Sequence, residues 1–282
     1  MSEPAVVDHA LSAATREVAP PMDNMLARAR AFAEPLIAQE TLDTGENTLA
    51  HADAVAPIVA AMGGSEAMQA ASYLVYSCQH LNRPHEVIAK AFGDNHAALA
   101  IETTKLVKVQ QQTREAEDAG NPVDDPRLQT ENVRKMLLAF SRDLRVVMLR
   151  LASRLQTLRF HAARKTPVPP SVAREALNVF APLANRLGIW QVKWEMEDLA
   201  FRFLEPETYQ QVARFLDQKR VEREAYVEQL RARLETELNA QGIKANVHGR
   251  PKHIYSIVRK MRGKSLDFEH VFDVRALRVI VP

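Results

Sequence analysis

ENVRKMLLAFSRDLRVVMLRLASRLQTLRF, residues 131–160, is the deciding stretch of this sequence. Its apolar residues Met136, Leu137, Phe140, Leu144, Val147, Met148, Leu151, Leu155 and Leu158 recur at steps of three and four. That period winds them into one stripe along a long α-helix. Working outward, the same period, only 9 glycines and many Ala and Leu residues make the first two-thirds of the chain mostly helical. Towards the N-terminus the pattern predicts helices over 24–39, 51–62, 66–78, 84–92 and 97–111. Gly63-Gly64 and Gly93 act as stops, 41–47 and 113–125 are read as loops, and 1–21 as a flexible tail. Towards the C-terminus, 165–170 is a Pro-rich break, followed by helices over 172–187 and 190–203 with Pro206 as a stop.

After Pro206 the character changes. A long charged helix over 208–240 ends at Gly242, in the position where glycine closes helices. A strand over 244–248, a turn at Gly249-Arg250-Pro251, a basic helix over 252–261 and a strand over 271–281 follow. We therefore divide the chain into the tail 1–21, a helical domain 22–205 and a second domain 206–282, with the boundary near Glu205. Two strands cannot bury both faces of a sheet, so the second domain is expected to be incomplete without a further segment or a partner.

Composition bounds the function classes. Hydrophobic residues make up 46% and charged residues 26% of 282, an ordinary globular balance that excludes wholesale disorder. No apolar run approaches the roughly 20 residues a membrane helix needs, and the N-terminus carries no secretory pattern. The only cysteine, Cys78, rules out an internal disulfide framework and fits a cytoplasmic location. Net charge is +2, but no acidic residue stands between Glu237 and Asp267, where Lys244, Arg250, Lys252, Arg259, Lys260, Arg262 and Lys264 do. A positive field there attracts phosphates.

Two features could carry chemistry. In GRPKHIYSIVRK, residues 249–260, Lys252, Ser256, Arg259 and Lys260 fall at helical spacing. A helix N-terminus, a hydroxyl and several cations together suit a polyphosphate. A solvated basic helix or a nucleic-acid patch reads equally well, and the glycine spacing of a Walker loop is absent. Asp273, among apolar neighbours at the head of the last strand, could hold the divalent cation that phosphoryl transfer needs, or could pair with Arg275 or Arg278.

The tail HGRPKHIYSIVRKM with VFDVRALRVI resembles the start of the synthetase domain of RelA/SpoT enzymes. Upstream, APLANRLGIWQVKWEMEDLAFRFL resembles the segment joining that family's two catalytic domains. The resemblance implies a mainly α fold: a helical HD-type hydrolase-like domain, followed by the start of an α+β nucleotidyltransferase-like synthetase domain. It implies transfer of pyrophosphate from ATP to the 3′-hydroxyl of GTP or GDP. Arg250 would stack on adenine, Lys252, Ser256 and Lys260 would contact the ATP phosphates, and Asp273 would bind Mg²⁺. Ribosome and tRNA would be met through regions absent from this chain.

The family's hydrolase centre uses a His, a His-Asp pair and a later Asp to hold Mn²⁺. Here His51 keeps the first position, with Gly45-Glu46 before it, while Val75-Tyr76 and Ser153 fall on the others. Gln79-His80 falls on a following acidic pair, and Thr157 on a later Asn. Valine cannot ligate a metal, and neutral Tyr or Ser replaces carboxylate poorly. The resemblance therefore points to the synthesising RelA branch with a degenerate hydrolase domain. A regulatory or RNA-binding module without turnover is the alternative, because the guanine-stacking tyrosine and second acidic ligand of the family lie beyond position 282.

Overall fold

The computed structural model describes residues 24–118, 143–218, 220–268, 271 and 275–281. The predicted helical domain begins with α1 (Met25–Ile37), α2 (Thr48–Ala61), α3 (Glu66–Ser77), α4 (Pro84–Phe92) and α5 (Asp94–Asp118). Asn24 and Asn47 start α1 and α2, each side-chain carbonyl accepting a backbone N–H three residues on, at 3.0 Å. Between them, Thr41 bridges to Asn47 across a loop whose Gly45 sits at φ +78°, a conformation side chains resist.

Helix α5 departs from expectation. Gln112, and Thr113 to Asp118 read as the start of a polar loop, continue the helix predicted to stop at 111. Gln, Arg, Glu and Ala are good helix formers, and the first breaker is Gly120, so polarity alone was a poor guide. The remainder of that loop, and Met136, Leu137 and Phe140 of the deciding stretch, lie outside the described residues.

The described part of the deciding stretch is α6 (Leu144–Arg164), opened by Asp143, whose Oδ1 accepts the Arg145 N–H at 3.0 Å. Val147, Leu151, Leu155 and Leu158 are buried as the period requires, whereas Leu144, in the first turn, is 54% exposed. The helix predicted over 172–187 is broken in two: α7 (Pro170–Glu175) and α8 (Ala181–Arg186) flank a π-helical turn, Ala176–Phe180. Pro182 has no N–H and its ring would meet the carbonyl four residues back, so the backbone widens by one residue before it. Helix α9 (Trp190–Leu204) follows Gly188, at φ +72°.

One apolar cluster joins α6 to α9 with parts of α2, α3 and α5, and contains Leu155, Phe180 and Met196. A second is built from α1 to α5 around Leu74 and Ile88. His161 of α6 is buried, with Nδ1 against Thr166 Oγ1 at 3.0 Å and Nε2 meeting no partner among the described residues. Burial pushes its pKa below the ordinary 6.5. As pH falls past 6.5, the unfolded chain takes this proton first, so His161 costs stability down to its lower folded value. Urea midpoints between pH 7.5 and 5.5 should therefore fall more steeply for the parent than for His161→Phe. Parallel slopes would refute this.

Within the charged helix predicted over 208–240, the described residues form α10 (Pro206–Gln218) and α11 (Arg220–Ala240). Pro206 ends α9 and also opens α10 at the first helical position, where its missing N–H is not needed. On α11, Arg231 pairs with Glu228 and Glu235, and Arg233 with Glu237, across single turns. Strand β1 (Asn246–Pro251) pairs antiparallel with β2 (Arg275–Ile280), from Asn246 opposite Ile280 to Pro251 opposite Arg275. Gly249, Arg250 and Pro251 thus belong to a strand and not to a turn, Arg250 standing opposite Ala276. Between the strands lies α12 (Ile254–Lys264). A third apolar cluster holds this end together: Ile257, Val258, Val212 and Val271 around Phe201, which comes from α9.

Candidate functional site

His51 on α2, Tyr76 on α3 and Ser153 on α6 are far apart in sequence and meet in space. His51 is 1% exposed, and both of its ring nitrogens are engaged. Nδ1 lies 2.6 Å from Glu46 Oε2, and Nε2 lies 3.1 Å from Ser153 Oγ. The Tyr76 hydroxyl is also 3.1 Å from Ser153 Oγ, and its ring stands edge-on to His51 at 5.4 Å. Gln156, one turn along α6, donates to Glu46 Oε1 at 2.6 Å.

A carboxylate only accepts, so His51 Nδ1–H donates to Glu46. Nε2 pairs with the Ser153 hydroxyl, which also meets the Tyr76 hydroxyl. Burial holds the Tyr76 phenol above its ordinary pKa, keeping it protonated. Arg150 reaches Ser153 Oγ at 3.5 Å and Gln110 Oε1 at 2.9 Å. Arg154 pairs with Glu175 and lies over the Phe180 ring at 5.2 Å.

These residues do not fit a metal ion. His51 Nε2 is hydrogen-bonded to Ser153, and both Glu46 oxygens are engaged. Val75, buried beside Tyr76, offers no donor. Among the described residues no group of three His, Cys, Asp or Glu side chains could hold one. His80, at the end of the 3₁₀ turn Cys78–His80, is exposed and so is no partner for buried His51. The centre borders a cavity of about 250 Å³ lined by Thr41, Lys108, Gln111, Arg150 and Ser153 among others.

The second set of expected site residues surrounds the start of α12. Lys252 precedes the helix by two residues, correcting the expectation that the basic helix begins there, and His253 is its N-cap. Ser256 and Lys260 are one turn apart on α12, and with Lys252 they are partly exposed. Arg250 lies on β1; Asp273, with its neighbours Phe272 and Val274, lies outside the described residues.

The His253 side chain does not cap its own helix. Asp198 of α9 takes that role: its Oδ1 accepts the Tyr255 N–H at 2.8 Å and its Oδ2 the Ile254 N–H at 3.3 Å. Oδ2 also lies 3.3 Å from His253 Nδ1, and the His253 ring stacks on Trp194 at 5.5 Å. At the other end of α12, Arg262 grips Glu205 through two bonds, of 2.9 and 2.5 Å. That guanidinium holds the Glu205 carboxyl below its usual range. The expected phosphate-ready helix N-terminus is thus partly occupied by a carboxylate. Sequence reasoning missed Asp198 and Gln156; the one available signal was the two-turn spacing of Asp198 and Glu205.

Comparison with known proteins adds names to this geometry. Residues 29–190 match the family described as HD domain, and 249–282 match the region found in RelA / SpoT proteins. A Synechocystis protein named probable guanosine-3′,5′-bis(diphosphate) 3′-pyrophosphohydrolase is 39% identical over 91% of this chain and 32% of its own length. An Escherichia coli GTP pyrophosphokinase is 49% identical over 54% of this chain and 20% of its own. A Myxococcus xanthus protein of the same name is 33% identical over 85% of this chain and 30% of its own. The chain spans about a fifth to a third of the length of these curated relatives. No helix among the described residues is long and apolar enough to cross a membrane.

Proposed function

The chain belongs to the HD-domain proteins of the RelA/SpoT family, and from that premise we propose that it is part of a (p)ppGpp synthetase whose HD half no longer hydrolyses. Its division would be 22–205 for the degenerate hydrolase-like domain and 206–282 for the opening of the synthetase domain. The observation that carries this reading is the Ser153 hydroxyl against His51 Nε2 at 3.1 Å. With Val75, Tyr76 and Ser153 at the other ligand positions, His51 would lack the partner ligands needed to hold a metal and activate a water.

In the synthetase reaction the 3′-hydroxyl of GTP or GDP attacks the β-phosphorus of ATP. The bond between the α- and β-phosphates breaks, and AMP leaves. The chain's part is positioning and charge neutralisation. Lys252, Ser256 and Lys260 hold the ATP phosphates, and Arg250 stacks on the adenine. Asp273 would hold Mg²⁺, which supplies charge neutralisation at the transferring group. Ribosome and tRNA would be engaged by other regions, and the reaction would serve the stringent response in the cytoplasm.

The test uses a chain extended over the region its relatives carry. Lys252→Ala should raise KM for ATP about tenfold, as expected for a lost charge-assisted phosphate contact, with KM for GTP little changed. Equal effects on both nucleotides would remove Lys252 from the ATP site. If the basic segment instead serves as an RNA surface, binding should fall steeply with salt and show no preference for ATP.

A further inference from the structure

We propose that Asp198 is a positioning residue for nucleotide binding: a carboxylate on the HD side that fixes the first turn of α12. The inference rests on the ATP-contacting role given above to Lys252, Ser256 and Lys260.

The first N–H groups of any helix lack partners within it, and here the N-cap is a histidine whose side chain makes no capping bond. The helix supplies no acceptor of its own, and Asp198 supplies both oxygens from another element. Its side chain is 18% exposed, so water competes weakly for those bonds. The negative charge also complements the positive end of the helix dipole.

Glu205 stands seven positions after Asp198, at the C-cap of α9. It takes Arg262 in the last turn of α12. Asp198 on α9 and Glu205 at its C-cap therefore grip the two ends of α12, while Phe201 between them packs with Ile257 and Val258. Lys252 directly precedes the capped turn and Ser256 lies just within it, so their placement follows the seating of that turn. Helix α9 also packs Met196 and Ala200 into the cluster that contains Leu155 of α6. One rigid element thus connects the HD helices to the proposed ATP contacts.

The test combines amide hydrogen exchange with MgATP titration of the chain extended over the region its relatives carry. In Asp198→Ala, the Ile254 and Tyr255 amides should lose about tenfold in protection, the usual scale of a lost cap. The MgATP Kd should rise by about the same factor. Asp198→Asn keeps an acceptor for Tyr255 and should remain within about threefold of the parent in both readouts. Unchanged protection in the alanine variant overturns the proposal, as does lost protection with unchanged ATP affinity; in the latter case the ATP site itself stands. A parent that binds no MgATP removes the proposed ATP site and the role of Asp198 with it. If Asp198→Ala unfolds globally, seen as lost protection throughout α6, the asparagine variant decides. Affinity within threefold of the parent supports the proposal, and a tenfold loss with both amides still protected overturns it.

Discussion

Asp273→Asn should abolish synthesis of ppGpp from ATP and GTP in a chain extended over the region its relatives carry. Asparagine keeps the size and shape of aspartate but removes the charge. A metal held beside a polyphosphate is worth several kcal/mol of transition-state stabilisation, so the expected loss in kcat is about a thousandfold or more. The urea midpoint should stay within error of the parent, which separates lost chemistry from lost folding. Raising Mg²⁺ should recover part of the rate if the substitution weakens metal affinity. Full activity in the variant would exclude Asp273 from metal binding and favour its alternative partner, Arg275 or Arg278.

Glu46→Ala should cost about 3 kcal/mol of stability. The carboxylate is buried and answers two donors, His51 Nδ1 and the Gln156 amide, both at 2.6 Å. Its removal leaves them buried without an acceptor, at roughly 1–3 kcal/mol each, with part recovered by relaxation. For a chain of this size that corresponds to a drop in Tm of about 6–12 °C. Neither parent nor variant should release pyrophosphate from ppGpp in Mn²⁺. The pairing of results matters, because active centres commonly sacrifice stability for function. A centre whose polar groups satisfy each other should instead contribute to stability. Hydrolysis by the parent would overturn the reading of Val75, Tyr76 and Ser153.

Much of the helical domain was legible from spacing alone. Val147, Leu151, Leu155 and Leu158 of α6 are buried where the period puts them, and Gly63, Gly93, Gly188 and Gly242 close elements at positive φ. Local errors had local causes. Leu144 fits the apolar stripe but belongs to the first turn and faces water, and the polar run after Gln111 continues a helix because nothing in it breaks one. The π turn precedes Pro182, a proline inside a predicted helix that the helical period alone passes over.

The sites were less legible, for a different reason. His51, Tyr76 and Ser153 could be grouped only through resemblance to a family, since no periodicity links positions this far apart. Their hydrogen bonds depend on how α2, α3 and α6 pack, as does the reach of Gln156. Asp198 was hidden in the same way. An aspartate within EMEDLAF reads as one more polar residue on an amphipathic helix, and only the docking of α12 turns it into a cap.

The Tyr76–Ser153–His51–Glu46 chain also bears on how this domain can change over generations. Ser153→Asp alone would bring a carboxylate against a histidine already bound to Glu46. Val75→His alone would place an imidazole in an apolar position, and Tyr76→Asp alone would empty the ring's volume and bury a charge. Each single step lowers stability before any combination can bind a metal. The wiring of these four side chains therefore ties their positions together: a metal site built here would require several substitutions at once.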